Sequence, residues 1–175
     1  RAALIVGTED YVNLRLTGRA ATDRTNAAIS QVMSLETLDW SEELLNLVQL
    51  SRSKFPPIVP SGERIGRLSH SAAQALGLPQ ATVVASGGHD QYCAALGAGV
   101  TDVGDCLLSC GTAWVPLSIT DALVRDPAMR VFPGPHVMPG RWGLLQSVPV
   151  AGVVLRWFRD TFCEAASYDA LSDAA

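Results

Sequence analysis

Charge is scarce in this 175-residue chain, where Asp, Glu, Lys and Arg together make up 17% of the residues. With 48% hydrophobic residues beside that shortage, the composition excludes a disordered, charge-rich segment and supplies enough apolar material for a core. Basic excess is missing too. A net charge of -4 and a pI near 5.3 argue against a nucleic-acid backbone or an anionic membrane surface as partner. No apolar run approaches the roughly 18 residues of a membrane span. The four cysteines, Cys93, Cys106, Cys110 and Cys163, are irregularly spaced and contain no CxxC pair. That pattern speaks against a zinc site or a disulfide framework and fits a reducing compartment, hence the cytoplasm. Cys106 and Cys110 fit one face of a strand, and buried free thiols are the reading adopted for them. The chain opens at Arg1 rather than Met and ends at Ala175 without a Gly or Pro stop, so it reads as an interior piece of a longer protein, with no signal peptide to read or exclude.

What is present is organised in two patterns. Residues Ala2 to Leu16 read as a helix closed by Gly18. Thr22-Asp23-Arg24-Thr25-Asn26 is a polar island whose short side chains bond nearby backbone, so Asp23 and Asn26 are expected to fix a turn. Asp39-Trp40-Ser41-Glu42 reads as a capping box before Leu44, Leu45 and Val48 at helical spacing. Pro56 to Gly62 is an extended connector, and Ser69 to Leu76 a short helix stopped by Gly77 and Pro79. A strand over Ala81 to Ala85 leads into a helix opened at Asp90. Beyond it, Asp105 to Ser109 and Trp114 to Thr120 read as a hairpin around Gly111, Trp142 to Val148 as a third strand, and Val153, Val154, Trp157, Phe158 and Phe162 as one face of a helix from Ala151. A boundary is placed near residues 99 to 103. Trp114 and Trp157 fall in apolar patterns and are expected in the core.

Two loops carry the chemistry. Gly87-Gly88-His89-Asp90-Gln91 puts an acid where strand becomes helix, and two glycines are expected to leave open space through which a substrate reaches the carboxylate. By position alone, capping the helix that starts at Gln91 is the favoured reading of Asp90. Gly111-Thr112 offers backbone N-H groups and a hydroxyl at a tight turn, a means of holding a phosphate oxygen, although glycine in a hairpin turn is ordinary.

Taken together, the blocks Asp10-Tyr11-Val12-Asn13-Leu14-Arg15-Leu16-Thr17-Gly18, Ala21-Thr22-Asp23-Arg24-Thr25-Asn26-Ala27, Leu38-Asp39-Trp40-Ser41, Pro60-Ser61-Gly62-Glu63-Arg64-Ile65-Gly66, Gly87-Gly88-His89-Asp90-Gln91 and Leu108-Ser109-Cys110-Gly111-Thr112-Ala113 resemble the FGGY family of carbohydrate kinases, in that family's order. The resemblance implies an actin-like, ribonuclease-H-like α/β fold of two domains, with residues 1–100 the end of the sugar-binding domain and 101–175 the start of the nucleotide-binding domain. It implies ATP-dependent phosphorylation of a sugar or polyol, of pentulose or xylulose type, with Asp90 as general base. Gln91 and His89 are then expected near the sugar, and Gly111 and Thr112 at the nucleotide phosphates. His89 is read as packing or lining the pocket wall rather than relaying protons. Mg2+ would bridge nucleotide phosphates while keeping several waters, so no metal ligand is assigned.

The family's amino-terminal phosphate loop and its adenosine-binding glycines would lie outside these residues, so the chain alone is expected to be inactive. One alternative is a non-catalytic sugar- or nucleotide-binding member of the same fold. Another is an unrelated hydrolase, which would need a second carboxylate beside Asp90. The oligomeric state is left open between monomer and homodimer.

Overall fold

Several helix starts in this protein are set by short side-chain oxygens. In the computed structural model, which describes residues 2–164 and 166–175, helix α1 (Thr8–Thr17) begins where the Asp10 carboxylate accepts the Gly7 N-H at 2.9 Å. It stops at Gly18 in the left-handed region, φ 76°, which glycine adopts without a steric penalty. The six residues before Thr8 are not helical, because the helix start lies at the Gly7–Asp10 cap rather than at Ala2. Strand β1 (Thr22–Asp23) leads into α2 (Arg24–Ile29), and the Asp23 carboxylate accepts the N-H groups of Thr25 and Asn26 at 2.8 and 3.3 Å. The polar island is thus a helix cap, and Asp23 fixes the turn as its residue type predicts.

Strands β2 (Met33–Ser34) and β3 (Asp39–Trp40) pair antiparallel ahead of α3 (Glu42–Leu47). Ser41, not Asp39, caps α3 by accepting the Leu44 N-H at 3.3 Å, since Asp39 is held in the ladder opposite Ser34. A 3-10 turn over Arg52–Lys54 precedes β4 (Ile58–Val59), where the expected connector pairs parallel with β1. Strand β5 (Arg64–Arg67) is followed by α4 (His70–Leu76), capped by Ser69 and closed by Gly77 at φ 65°. Strand β6 (Val83–Ala85) pairs antiparallel with β5 and delivers the chain to α5 (Asp90–Gly97).

The second half is built on one four-stranded antiparallel sheet. Its strands are β7 (Cys106–Cys110), β8 (Trp114–Thr120), β9 (Phe132–Pro135) and β10 (Trp142–Leu145), in the order β7-β8-β10-β9. The hairpin around Gly111 forms with Cys110 opposite Trp114. β9 has the sequence Phe-Pro-Gly-Pro, which strand propensities disfavour, and it forms at the sheet edge, where proline is tolerated. β10 ends three residues short of Val148, which makes a single bridge to Trp114. Helices α6 (Ala151–Phe162) and α7 (Tyr168–Asp173) close the chain.

Two apolar clusters hold these parts. One gathers Ala27, Met33, Trp40 and Leu45, with the Trp40 indole donating to the Pro56 carbonyl at 2.7 Å. The other joins Tyr92 and Ala95 of α5 to Leu117 and Leu145 of the sheet. So α5, from the first part of the sequence, shares its core with the strands beyond residue 103. Two expectations fail within this chain. Trp114 and Trp157 are 37% and 56% exposed, because neither the outward face at the start of β8 nor the apolar side of α6 is covered by described residues. Cys93, Cys106 and Cys110 are exposed free thiols and Cys163 is half-buried, since Cys106 and Cys110 do share a face of β7 but that face looks outward.

Candidate active site

The turn that carries Asp90 is tied down residue by residue. Ser86, buried at the end of β6, donates its N-H to the Glu63 carbonyl and its hydroxyl to the Pro60 carbonyl, each at 2.8 Å. Gly87 N-H then donates to Glu9 Oε1 at 2.8 Å, and His89 N-H donates to Thr25 Oγ1 at 2.7 Å. Neither glycine has a positive φ. Their role is close approach rather than an unusual turn. A Cβ on Gly87 would lie 2.5 Å from Glu9 Oε1, and one on Gly88 would run into Val137 and lie 3.1 Å from Cys93 Sγ. The open space expected beside the glycines is therefore filled by Glu9 on one side and by Val137 and Cys93 on the other.

His89 occupies the cap position of α5 without making a side-chain cap bond, and Asp90 is the first helical residue. Capping of a helix starting at Gln91 is thus not the arrangement found. Asp90 Oδ1 accepts the Gln91 N-H at 2.7 Å, yet the side chain remains 81% exposed and lies 3.3 Å from His89 Nδ1. A carboxylate in that state keeps most of its acceptor capacity for something arriving from solvent.

What it faces is a cavity of about 590 Å³ whose walls include Glu9, Asp10, Asn26, Trp40, His89 and Asp90. Three of those six side chains are acids and none is Lys or Arg. One of them, Glu9, is wired to Asp23 beneath the surface. Asn26 Nδ2 donates to Glu9 Oε2 at 2.8 Å and to Asp23 Oδ2 at 2.6 Å, while the Thr25 hydroxyl donates to Asp23 Oδ1. Asp23 and Thr25 are both 1% exposed, so this network sits in a low-dielectric setting where each bond strengthens its neighbours. Burial pushes the Glu9 and Asp10 carboxyls up from their ordinary values, with the Asp23 charge adding to both shifts.

The other residues singled out from sequence lie elsewhere. His89 lines the cavity wall and meets the Tyr92 ring edge-on at 5.9 Å. Gln91, Gly111 and Thr112 are not part of this wall. Gln91 is half-buried, and its Oε1 has no hydrogen-bond partner among the described residues. At the hairpin turn, the Gly111 N-H is already engaged, donating to the Ala113 carbonyl at 2.9 Å, and the Thr112 carbonyl accepts the Gly152 N-H at 3.1 Å. The exposed Thr112 side chain is what the turn presents to solvent. Among the described residues no group of three or more His, Cys, Asp or Glu could hold a metal ion.

Glu9, Thr25 and Asn26 belong to the site but were not placed there from sequence. Their signal was partial: the polar island read as a turn, whereas its bond to an amide 64 residues away leaves no local trace.

A sequence model described as the FGGY family of carbohydrate kinases, N-terminal domain, matches residues 1–97. The chain belongs to the FGGY family of carbohydrate kinases. Curated relatives include an autoinducer-2 kinase from Klebsiella pneumoniae, 32% identical over 93% of this chain and 31% of its own, and a xylulose kinase from Klebsiella pneumoniae, 34% identical over 85% of this chain and 31% of its own. Among solved structures, a xylulose kinase from Rhodospirillum rubrum superposes with a TM-score of 0.89 at 29% identity, covering 98% of this chain and 35% of that one. This FGGY chain therefore spans about a third of the length of the relatives it matches, and its fold is that of the family's actin-like, ribonuclease-H-like kinases. No helix among its described residues is long and apolar enough to cross a membrane.

Proposed function

We propose that the protein carrying this chain transfers a phosphoryl group from ATP to a hydroxyl of a small sugar or polyol, of pentulose or xylulose type, with Asp90 as the general base. The observation that carries this reading is the Asp90 carboxylate, 81% exposed at a cavity and held on a turn pinned at Gly87 and His89. In the step proposed, the substrate oxygen attacks the γ-phosphorus as its proton passes to Asp90. The bond to the leaving ADP oxygen breaks, and a sugar phosphate forms. Phosphoryl transfer needs little covalent chemistry from a protein, so a correctly aimed acceptor and well-placed charge account for most of the effect.

His89 on the cavity wall and Gln91, one residue beyond the base, are assigned to the sugar side. Thr112, with Gly111, is assigned to the nucleotide phosphates, chiefly through the exposed hydroxyl because the Gly111 N-H is bonded within the turn. Residues 1–100 are assigned to the sugar-binding domain and 101–175 to the nucleotide-binding domain, a division supported by the family match ending at residue 97. Magnesium would neutralise nucleotide phosphate charge when bound. The described residues form no cluster to hold it by themselves. The four free thiols support a cytoplasmic location.

The test is a panel of sugars and polyols offered with ATP to the complete protein and to its Asp90→Asn variant. Loss of a general base is expected to lower kcat by roughly 10²–10⁴-fold for the accepted sugar. Near-normal turnover by the variant would remove Asp90 from the role.

A further inference from the structure

We infer that Glu9 is a positioning residue for the phosphoryl-transfer base, holding the Asp90 turn by the Gly87 amide while Thr25 holds it by the His89 amide. This rests on the reading of Asp90 as base and adds to it the group that aims it. The geometry is a two-point clamp. Glu9 projects from α1 and Thr25 from α2, and each reaches a backbone N-H on either side of Gly88, at 2.8 and 2.7 Å. Asn26 ties the two arms to each other by bridging Glu9 Oε2 and Asp23 Oδ2, and Asp23 takes the Thr25 hydroxyl proton.

The fit of the clamp is close. A Cβ on Gly87 would stand 2.5 Å from the Glu9 carboxylate oxygen, so glycine there is what lets the carboxylate close on the amide. Val137 and Cys93 close on Gly88 alone, so the amides on either side of it are held by the two arms. Among the described residues Asp90 itself meets only its own neighbours, accepting the Gln91 N-H and lying 3.3 Å from His89 Nδ1. Its direction in the cavity is thus inherited from backbone that Glu9 and Thr25 hold. A carboxylate is a strong acceptor for that backbone N-H, and Glu9 is kept from rotating by Asn26.

The experiment compares Glu9→Gln, Glu9→Asp and Glu9→Ala in the complete protein, each also on the Asp90→Asn background, with kcat, the KM values for sugar and ATP, and thermal unfolding recorded together. Glu9→Gln keeps an oxygen for the Gly87 amide and is expected to stay within about threefold of wild-type kcat. Glu9→Asp withdraws the acceptor by one methylene, and Glu9→Ala removes it. A displacement of about 1 Å at a reacting group costs on the order of 10²-fold, so both are expected to lower kcat by roughly 10–100-fold with KM for ATP unchanged. On Asp90→Asn that loss should vanish, because there is no base left to aim.

A purely structural Glu9 would instead lower the unfolding temperature and leave kcat per folded molecule unchanged, which would overturn the inference. So would a loss that persists in full on Asp90→Asn. If Glu9→Ala does not fold, the ratio between Glu9→Asp and Glu9→Gln decides the same question. An inactive Asp90→Asn beside normal Glu9→Asp and Glu9→Ala refutes the clamp alone. A fully active Asp90→Asn refutes the base assignment and the clamp with it.

Discussion

Gly152→Ala should destabilise this protein even though alanine is the better helix former. Gly152 is the second residue of α6, and there alanine gains about 0.8–1.0 kcal/mol over glycine in intrinsic propensity. Its Cβ, however, would be driven into the Gly111 carbonyl oxygen and would lie 3.0 Å from the Gly111 carbonyl carbon and 3.3 Å from Thr112 Cα. All of these are main-chain atoms, so no rotamer change relieves them. They are also pinned, by the Gly152 N-H donating to the Thr112 carbonyl at 3.1 Å and the Gly111 N-H donating to the Ala113 carbonyl at 2.9 Å. Overpacking of this kind costs about 1–3 kcal/mol, and loss of the Gly152–Thr112 bond adds about 0.5–1.5 kcal/mol. After the propensity gain, a net loss of about 1–3 kcal/mol remains.

For a domain of about 150–250 residues, a net loss near 2 kcal/mol corresponds to an unfolding midpoint lower by about 4–8 °C. The control is Gly97→Ala. Gly97 closes α5, has nothing within 4 Å of a built Cβ and lacks a positive φ, so alanine there should stabilise by up to about 1 kcal/mol. Thermal unfolding of the two variants beside the wild type reads the difference. Steady-state kinetics should also show Gly152→Ala raising KM for ATP more than KM for sugar, because the displaced residue is Thr112. If Gly152→Ala unfolds at or above the Gly97→Ala midpoint, the packing of α6 on the hairpin turn is not as described.

Two further outcomes follow from burial. Leu117 is 0% exposed between α5 and β10, and Leu117→Ala should lower stability by about 2–5 kcal/mol in chemical denaturation, with the loss appearing in both halves because α5 shares that core. Burial, reinforced by the Asp23 charge, raises the Asp10 carboxyl above its ordinary 3.8, so the native state holds that proton more tightly than the unfolded chain. Asp10 therefore makes stability fall as pH rises from 3.8 through the raised value. Asp10→Asn keeps an oxygen for the Gly7 N-H and should flatten that limb relative to wild type, and an unchanged difference between the two curves across pH 3–7 would refute it.

Much of the fold was legible because its signals are local. Gly18 and Gly77 stop helices by adopting positive φ, Ser69 starts one with its own hydroxyl, and the β7-β8 hairpin follows from two β-prone runs around Gly111. The capping residue of α3 was misplaced by two positions because Asp39 and Ser41 are both good caps. Pairing with Ser34 decides between them. β9 was missed since Phe-Pro-Gly-Pro carries no strand signal, and it exists only because β10 offers it a ladder.

The sequence by itself determined the family, the glycine stops of α1 and α4, the hairpin and the position of an acid just beyond β6, since each depends on residues within a few places of one another. Tertiary structure alone decided how that acid is held. The glycines beside Asp90 read as makers of open space, yet folding brings Glu9 from 78 residues away and Thr25 from 64 to occupy the turn's amides, with Val137 and Cys93 closing on Gly88. Hydrogen bonds and packing at such separations leave no periodicity or spacing in the chain, so only the folded arrangement reveals which side chains aim the carboxylate.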